Sequence, residues 1–199
     1  YWFSGWNTAA NGTGTAYADG AIYSFAANVT LYAQWNPVTA ITVAGITANN
    51  KIYDGDAVAT FNASGYSFVG VAGGDIVTLV TTGATASFDN ENVGVGKPVT
   101  VSGLGLGGRD AHKYTLTQPT LSANITARNL TVTATASNKV YDGTVAATAT
   151  LATNALAGDT VAASYVSAEF ASKDVGLART VTVNGITIAL SKGRIFEET

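Results

Sequence analysis

Cysteine and methionine are both missing from this 199-residue chain. Their absence removes disulfides, thiolate metal sites and the easily oxidised sulfur side chains together. Strand pairing and aliphatic packing must then hold the fold, and a sulfur-free chain suits an oxidising exterior. Charge is sparse as well: Asp, Glu, Lys and Arg make up 12%, about half of the roughly 25% usual in soluble domains. Ten basic and thirteen acidic residues give a net charge of −3 and a pI near 4.9. The basic residues are scattered and form no phosphate-tracking stripe, which argues against nucleic acid as a partner. One histidine with no cysteine cannot supply the three or four nitrogen and sulfur ligands of a zinc site. No run approaches the eighteen or so apolar residues of a membrane span, so membrane insertion is not expected. The N-terminus lacks the charged and apolar regions of a signal peptide, which places any export signal outside this chain. The missing initiator methionine points to a processed product or an excerpt.

What is present is alternation. Leu130-Thr131-Val132-Thr133-Ala134-Thr135 and Val99-Thr100-Val101 put apolar and hydroxyl side chains on opposite faces of a strand. Thr and Val are β-branched and favour pleated structure. Turn signals separate these runs at short intervals: Asp54-Gly55, Gly73-Gly74-Asp75, Asp89-Asn90, Gly107-Gly108, Asp142-Gly143 and Gly158-Asp159. Many short strands with frequent turns predict an all-β protein. The best helical candidate is Leu151 to Leu156, a single turn at most.

The chain also repeats itself. Asn50-Lys51-Ile52-Tyr53-Asp54-Gly55 returns 88 residues later as Asn138-Lys139-Val140-Tyr141-Asp142-Gly143. Gly74-Asp75 returns as Gly158-Asp159, Phe88 as Phe170, Val93-Gly94 as Val175-Gly176, and Val99-Thr100-Val101-Ser102-Gly103 as Val181-Thr182-Val183-Asn184-Gly185. A period of that length is a small domain, so the chain is built by duplication. Three regions follow: 1–36, rich in aromatics; 38–127, the first repeat; and 128–199, the second. The second departs at its end, since Lys192 to Thr199 shows no counterpart of Ala123-Asn124-Ile125-Thr126. The short junction between repeats predicts a semi-rigid rod. Incomplete sheets at the ends leave open edges that invite a strand from an identical chain, unless the chain is an excerpt.

Motifs that suggest chemistry are better read as structure. In the signature turns Tyr53-Asp54-Gly55 and Tyr141-Asp142-Gly143, Asp offers a side-chain acceptor and Gly tolerates positive φ, while Tyr buries its ring and keeps its hydroxyl wet. The functional alternative is a crosslink at Lys51 or Lys139 with Asp54 or Asp142 as the acid. Gly103-Leu104-Gly105-Leu106-Gly107-Gly108 spells GxGxxG, but no helix is expected after it and the second repeat lacks it, so no nucleotide site is assigned. Asp89-Asn90-Glu91-Asn92 offers oxygens for calcium, yet the second repeat reads Ala171-Ser172-Lys173-Asp174, with a cation where a ligand would stand. His112 lies beside Asp110 and Lys113 with no Gly-x-Ser-x-Gly anywhere. The acids fall mostly in turns, so no catalytic residue, cofactor or metal is expected and the chain is read as no enzyme. The five Asn-x-Ser/Thr sequons are what chance places in so Thr-rich a chain. Trp2, Trp6 and Trp35 all lie in the first region with Tyr1, Tyr17, Tyr23 and Tyr32; they are expected to form its core, with ligand stacking as the alternative role.

Phe3-Ser4-Gly5-Trp6-Asn7-Thr8 followed by Leu31-Tyr32-Ala33-Gln34-Trp35 resembles the C-terminal half of a Listeria-Bacteroides repeat, the internalin-B B-repeat type of bacterial surface proteins. The later regions, on their Tyr-Asp-Gly signatures and Val-Thr-Val-x-Gly strands, resemble the YDG or MBG repeat domains of large bacterial adhesins. These resemblances imply small β-grasp-like modules, with an immunoglobulin-like sandwich as the alternative. They imply a structural segment at the bacterial cell surface, an adhesin stalk or a subunit of a fibre or sheath. Its partners would be neighbouring modules or identical chains, and in the alternative role a glycan or host protein.

Overall fold

The computed structural model describes residues 1–24 and 27–190. Among these residues the chain is all-β, with one 3-10 turn at Ala111–Lys113. The aromatic region supplies β1 (Trp2–Asn7), β2 (Ala16–Tyr17) and β3 (Tyr32–Asn36). The first repeat begins with β4 (Thr39–Ala44), β5 (Thr47–Ala48), β6 (Lys51–Ile52), β7 (Val58–Ala59), β8 (Phe61–Asn62) and β9 (Ser67–Val69). It continues with β10 (Thr78–Val80), β11 (Thr85–Phe88), β12 (Gly94–Ser102), β13 (Gly105–Gly107), β14 (Tyr114–Thr117) and β15 (Thr120–Thr126). The second repeat holds β16 (Val132–Ala136), β17 (Ala149–Thr153), β18 (Val161–Ser164), β19 (Ser167–Phe170), β20 (Val181–Asn184) and β21 (Thr187–Leu190). The largest sheet runs β6-β15-β12-β11-β7.

Two compact units interleave along the sequence. The first comprises Tyr1–Asn49, Ala59–Ser87 and Pro98–Ser122; the second comprises Asn50–Val58, Phe88–Lys97 and Ala123–Thr199. In unit one, β1 pairs antiparallel with both β2 and β3. A bulge between Phe3 and Gly5 bends β1, and Gly5 carries it at φ 136°, where a Cβ would stand 2.7 Å from the Tyr17 carbonyl oxygen. No other residue fits there. Strand β4 pairs parallel with β14, Ile41 opposite Leu116, and antiparallel with β9. Alternation on β12 acts as expected: Val99 and Val101 are fully buried while Thr100 and Ser102 are exposed. They join Ile41, Leu104 and Tyr114 in the core of this unit.

In unit two, β6 runs parallel to β15, Lys51 opposite Ile125. Tyr53, Phe88, Ala123 and Ile125 are buried. From Arg128 to Leu190 only Ala168 is a buried hydrophobic residue among those described, and Val140, Val166, Val175 and Leu177 are largely exposed. The paired strands β16–β17, β18–β21 and β19–β20 are all antiparallel.

One expectation is corrected. Leu151 to Leu156 is no helical turn at its start, because Ala149–Thr153 forms β17 with Leu151 opposite Ala134 of β16. Six residues gain too few helical hydrogen bonds to outweigh a ready ladder partner. Leu156 instead opens the tight turn that closes at Asp159, whose N–H donates to the Leu156 carbonyl at 3.0 Å. The missing terminal strand expected over Lys192 to Thr199 lies outside the described residues.

Candidate functional site

Both Tyr-Asp-Gly signatures fold into the same lysine-clamped turn. The Lys51 ammonium lies 2.6 Å from Asp54 Oδ1 and 2.7 Å from Asp56 Oδ1, and donates to the carbonyls of Asp56 and Val58 at 3.0 Å each. In the second repeat the Lys139 ammonium lies 2.8 Å from Asp142 Oδ1 and donates to the Thr144 carbonyl at 3.0 Å. Each lysine sits over the ring of the repeat's phenylalanine, Lys51 at 6.0 Å from Phe88 and Lys139 at 5.7 Å from Phe170. Each phenylalanine N–H donates 2.8 Å to the far side of the turn, Phe88 to Ala57 and Phe170 to Val145. Gly55 and Gly143 take φ of 88° and 76°, the left-handed region that the turn requires and glycine permits.

The clamp shows in the titration of its members. Burial works against the Lys51 ammonium, but the carboxylates of Asp54 and Asp56 outweigh it and raise the pKa. Lys139, then the Thr144 N–H, hold the Asp142 carboxyl down at about 2. Lys51, then the Val58 N–H, likewise lower the Asp56 pKa, so Asp56 and Asp142 are carboxylates engaged by an ammonium.

The two tyrosines differ. Tyr53 is 1% exposed and its hydroxyl donates to Asp159 Oδ1 at 2.7 Å, whereas Tyr141 is 60% exposed. Beside Tyr53, a Cβ on Gly55 would meet Leu156 Cδ1 at 3.6 Å; one on Gly143 would meet nothing within 4 Å. The turn Leu156-Ala157-Gly158-Asp159 of the second repeat therefore covers the signature of the first. Next to Tyr141 an open groove of about 150 Å³ is lined by Lys139, Phe170, Lys173, Asp174 and Arg179.

A second cluster had no warning in the sequence. Asp75 Oδ1 receives Lys113 at 2.8 Å and its Oδ2 the Tyr114 hydroxyl at 2.5 Å. Asp110, almost fully buried, receives the Ile76 N–H at 2.9 Å and the Lys113 ammonium at 2.9 Å. The Ile76 bond, followed by Lys113, lowers the Asp110 pKa to about 2; Lys113 and then Tyr114 lower that of Asp75. Both acids ionise more readily in the folded chain than in the unfolded one, near 3.9. Their stabilisation is complete above the unfolded value and vanishes as pH falls through the folded one. The thermal midpoint is therefore expected to fall as pH drops from about 4 to about 2. Asp110→Asn should flatten that dependence, as read by circular dichroism.

Of the ring candidates, Trp6 is 37% and Trp35 60% exposed, and each meets Phe3 edge-on, at 5.3 and 5.6 Å. Trp2 packs edge-on against His112 at 5.7 Å, with the Lys113 ammonium 5.5 Å from its ring. His112 thus serves packing, its Nδ1 lying 3.1 Å from the Arg109 carbonyl oxygen. The oxygens that the sequence offers to calcium are taken up locally: Asp89 Oδ1 lies 2.8 Å from the Lys97 ammonium, which also donates to Asn90 Oδ1 at 2.8 Å. Lys97, Asn90 and Asp89 have the composition of an amide crosslink, but the Asp89 side chain is 44% exposed and its pKa is lowered, chiefly by Lys97. That makes an ion pair, not a protonated acid beside a neutral amine. The GxGxxG stretch is β13 and its approach, where Gln118 bonds the Leu104 backbone both ways at 3.0 and 2.9 Å. Among the described residues no three His, Cys, Asp or Glu converge as a metal site, and no helix is long and apolar enough to cross a membrane.

Neither the curated proteins nor the solved structures gave a match to this chain. The YDG domain family matches it twice, over residues 36–121 and 126–194, which together are more than half of its length. Each match contains one lysine-clamped Tyr-Asp-Gly turn, and on that evidence the chain belongs to the YDG domain family.

Proposed function

We propose that this chain is a structural repeat segment of a bacterial extracellular or cell-surface protein, an adhesin stalk or a subunit of a surface fibre or sheath. The observation that carries the reading is the use of the conserved-in-copy polar groups. In both signatures the lysine and aspartate are spent on holding their own turn, and the Tyr53 hydroxyl is spent on Asp159 of the other repeat. Groups so engaged serve connection. Sparse charge fits the same role, because few ions need desolvating when surfaces meet. Residues 1–36 fit a partial B-repeat-like module with β2-β1-β3 as its sheet, followed by two repeat domains near 38–127 and 128–199. Within the all-β class, the parallel pairs β4–β14 and β6–β15 favour a β-grasp-like arrangement over the antiparallel sheets of an immunoglobulin sandwich. The chain performs no catalysis in this reading.

A second reading rests on the 60% exposure of Trp35 and on Trp6 beside it across Phe3. Rings so placed could stack on a sugar of a glycan ligand. Electron microscopy of the purified chain, run beside a glycan array, separates the two. Rods or filaments with no array signal support the structural role. Single particles that bind a glycan, and lose it on Trp35→Ala without unfolding, replace it with the ligand-binding one.

A further inference from the structure

Among the described residues, the second repeat presents uncovered the surface that is covered in the first. We infer that the groove beside Tyr141 is the docking site for the Gly-Asp turn of a further YDG module, seated as Leu156-Ala157-Gly158-Asp159 is seated on Tyr53. The inference rests on the structural-repeat reading and names its contact.

The argument is a comparison of equivalent positions. The clamp is the same in both repeats, with lysine on aspartate, lysine over phenylalanine and glycine at positive φ. The turn is therefore built alike each time, while Tyr53 alone of the two follows a strand, β6, and donates its N–H to the Thr126 carbonyl of β15 at 2.8 Å among the described residues. Over Tyr53 lies a turn that contributes an aliphatic side chain, Leu156 beside Gly55, and a carboxyl oxygen 2.7 Å from the hydroxyl. Among the described residues nothing comparable lies over Tyr141 and Gly143, and Val140 beside them is 89% exposed. An aromatic ring and a valine left in water form a surface that gains from being covered.

The charges select the occupant. In the first repeat Lys97 is neutralised by Asp89; at the equivalent place Arg179 has Ala171 in the sequence, and its guanidinium donates to the Val175 carbonyl at 3.1 Å. Glu91 is replaced by Lys173. The groove thus gathers Lys139, Lys173 and Arg179 against Asp142 and Asp174, an excess of positive charge that suits an incoming aspartate. The first repeat's own Gly74-Asp75 closes the same turn as Gly158-Asp159, Asp75 N–H to Ala72 oxygen at 3.2 Å and Asp159 N–H to Leu156 oxygen at 3.0 Å. The turn is thus a shared element of the module.

Tyrosine nitration by tetranitromethane, mapped by mass spectrometry, tests this on the full chain and on the chain extended by a copy of residues 126–194. In the chain alone Tyr53 should be protected and Tyr141 modified. In the extended chain Tyr141 should react about tenfold more slowly, the scale of one net hydrogen bond to a covering partner. Asp159→Asn in the added copy should restore its reactivity. Equal modification of Tyr141 in both chains, with Tyr53 still protected and the added module folded, overturns the docking site and leaves the structural-repeat reading intact. Rapid modification of Tyr53 in the folded chain removes the covering contact itself and the reading with it. A parallel extension by residues 126–199, bearing the same Gly158-Asp159 turn, keeps the test decisive should the first added copy fail to fold.

Discussion

Replacing Tyr53 with alanine is expected to destabilise unit two by about 3–5 kcal/mol, the range for truncating a large buried aromatic, while Tyr141→Ala is expected to stay within about 0.5 kcal/mol. The two residues share a six-residue signature, so local propensity predicts no difference between them. Burial does: Tyr53 is 1% exposed, its hydroxyl is hydrogen-bonded to Asp159 and its N–H to the Thr126 carbonyl at 2.8 Å, so its alanine variant leaves a cavity where the ring was buried. Tyr141 has little buried area to lose. Urea unfolding of the two variants, extrapolated to water, reads the contrast.

Val99→Asp is expected to abolish the cooperative unfolding of unit one. Val99 is 0% exposed on β12, where an aspartate would have to shed its hydration without a partner, at a cost of several kcal/mol even after relaxation. Domains are stable by only about 5–15 kcal/mol in total, so one such charge takes a large share. Thr100→Asp supplies the control. Its neighbouring side chain is exposed, and surface changes of this kind shift stability by about 0.5 kcal/mol or less. Thermal melts followed by circular dichroism distinguish a lost transition from an unchanged one.

That contrast was legible in the sequence, because alternation on a strand determines its faces whatever the strand packs against. Val99-Thr100-Val101 announces an inward and an outward side, and the structure obeys. The turn function of Asp54-Gly55 and Asp142-Gly143 was equally legible, since the residue types carry their own reasons. The lysine clamp was half legible: Lys51 and Asp54 were paired as candidates for a crosslink, and they meet as an ion pair. The cluster of Asp75, Asp110, Lys113 and Tyr114 was not legible. Asp75 comes from one turn and Asp110, Lys113 and Tyr114 from the segment that leads into β14, and whether residues so far apart in sequence converge is decided by tertiary folding. Leu151 to Leu156 departs from its expected helical turn for a related reason, as intrinsic preference in an Ala/Leu stretch yields to the partner strand of β17. Least legible was the difference between Tyr53 and Tyr141, because a repeated motif conceals which copy is covered.

The most direct measurement is a double-mutant cycle between Tyr53→Phe and Asp159→Asn, read as unfolding free energy. If the signature of one YDG repeat is held by the Gly-Asp turn of the other, the pair should couple by about 1 kcal/mol or more. Effects that add to within about 0.5 kcal/mol would contradict the account, because the tyrosine and the aspartate would then stabilise the chain independently.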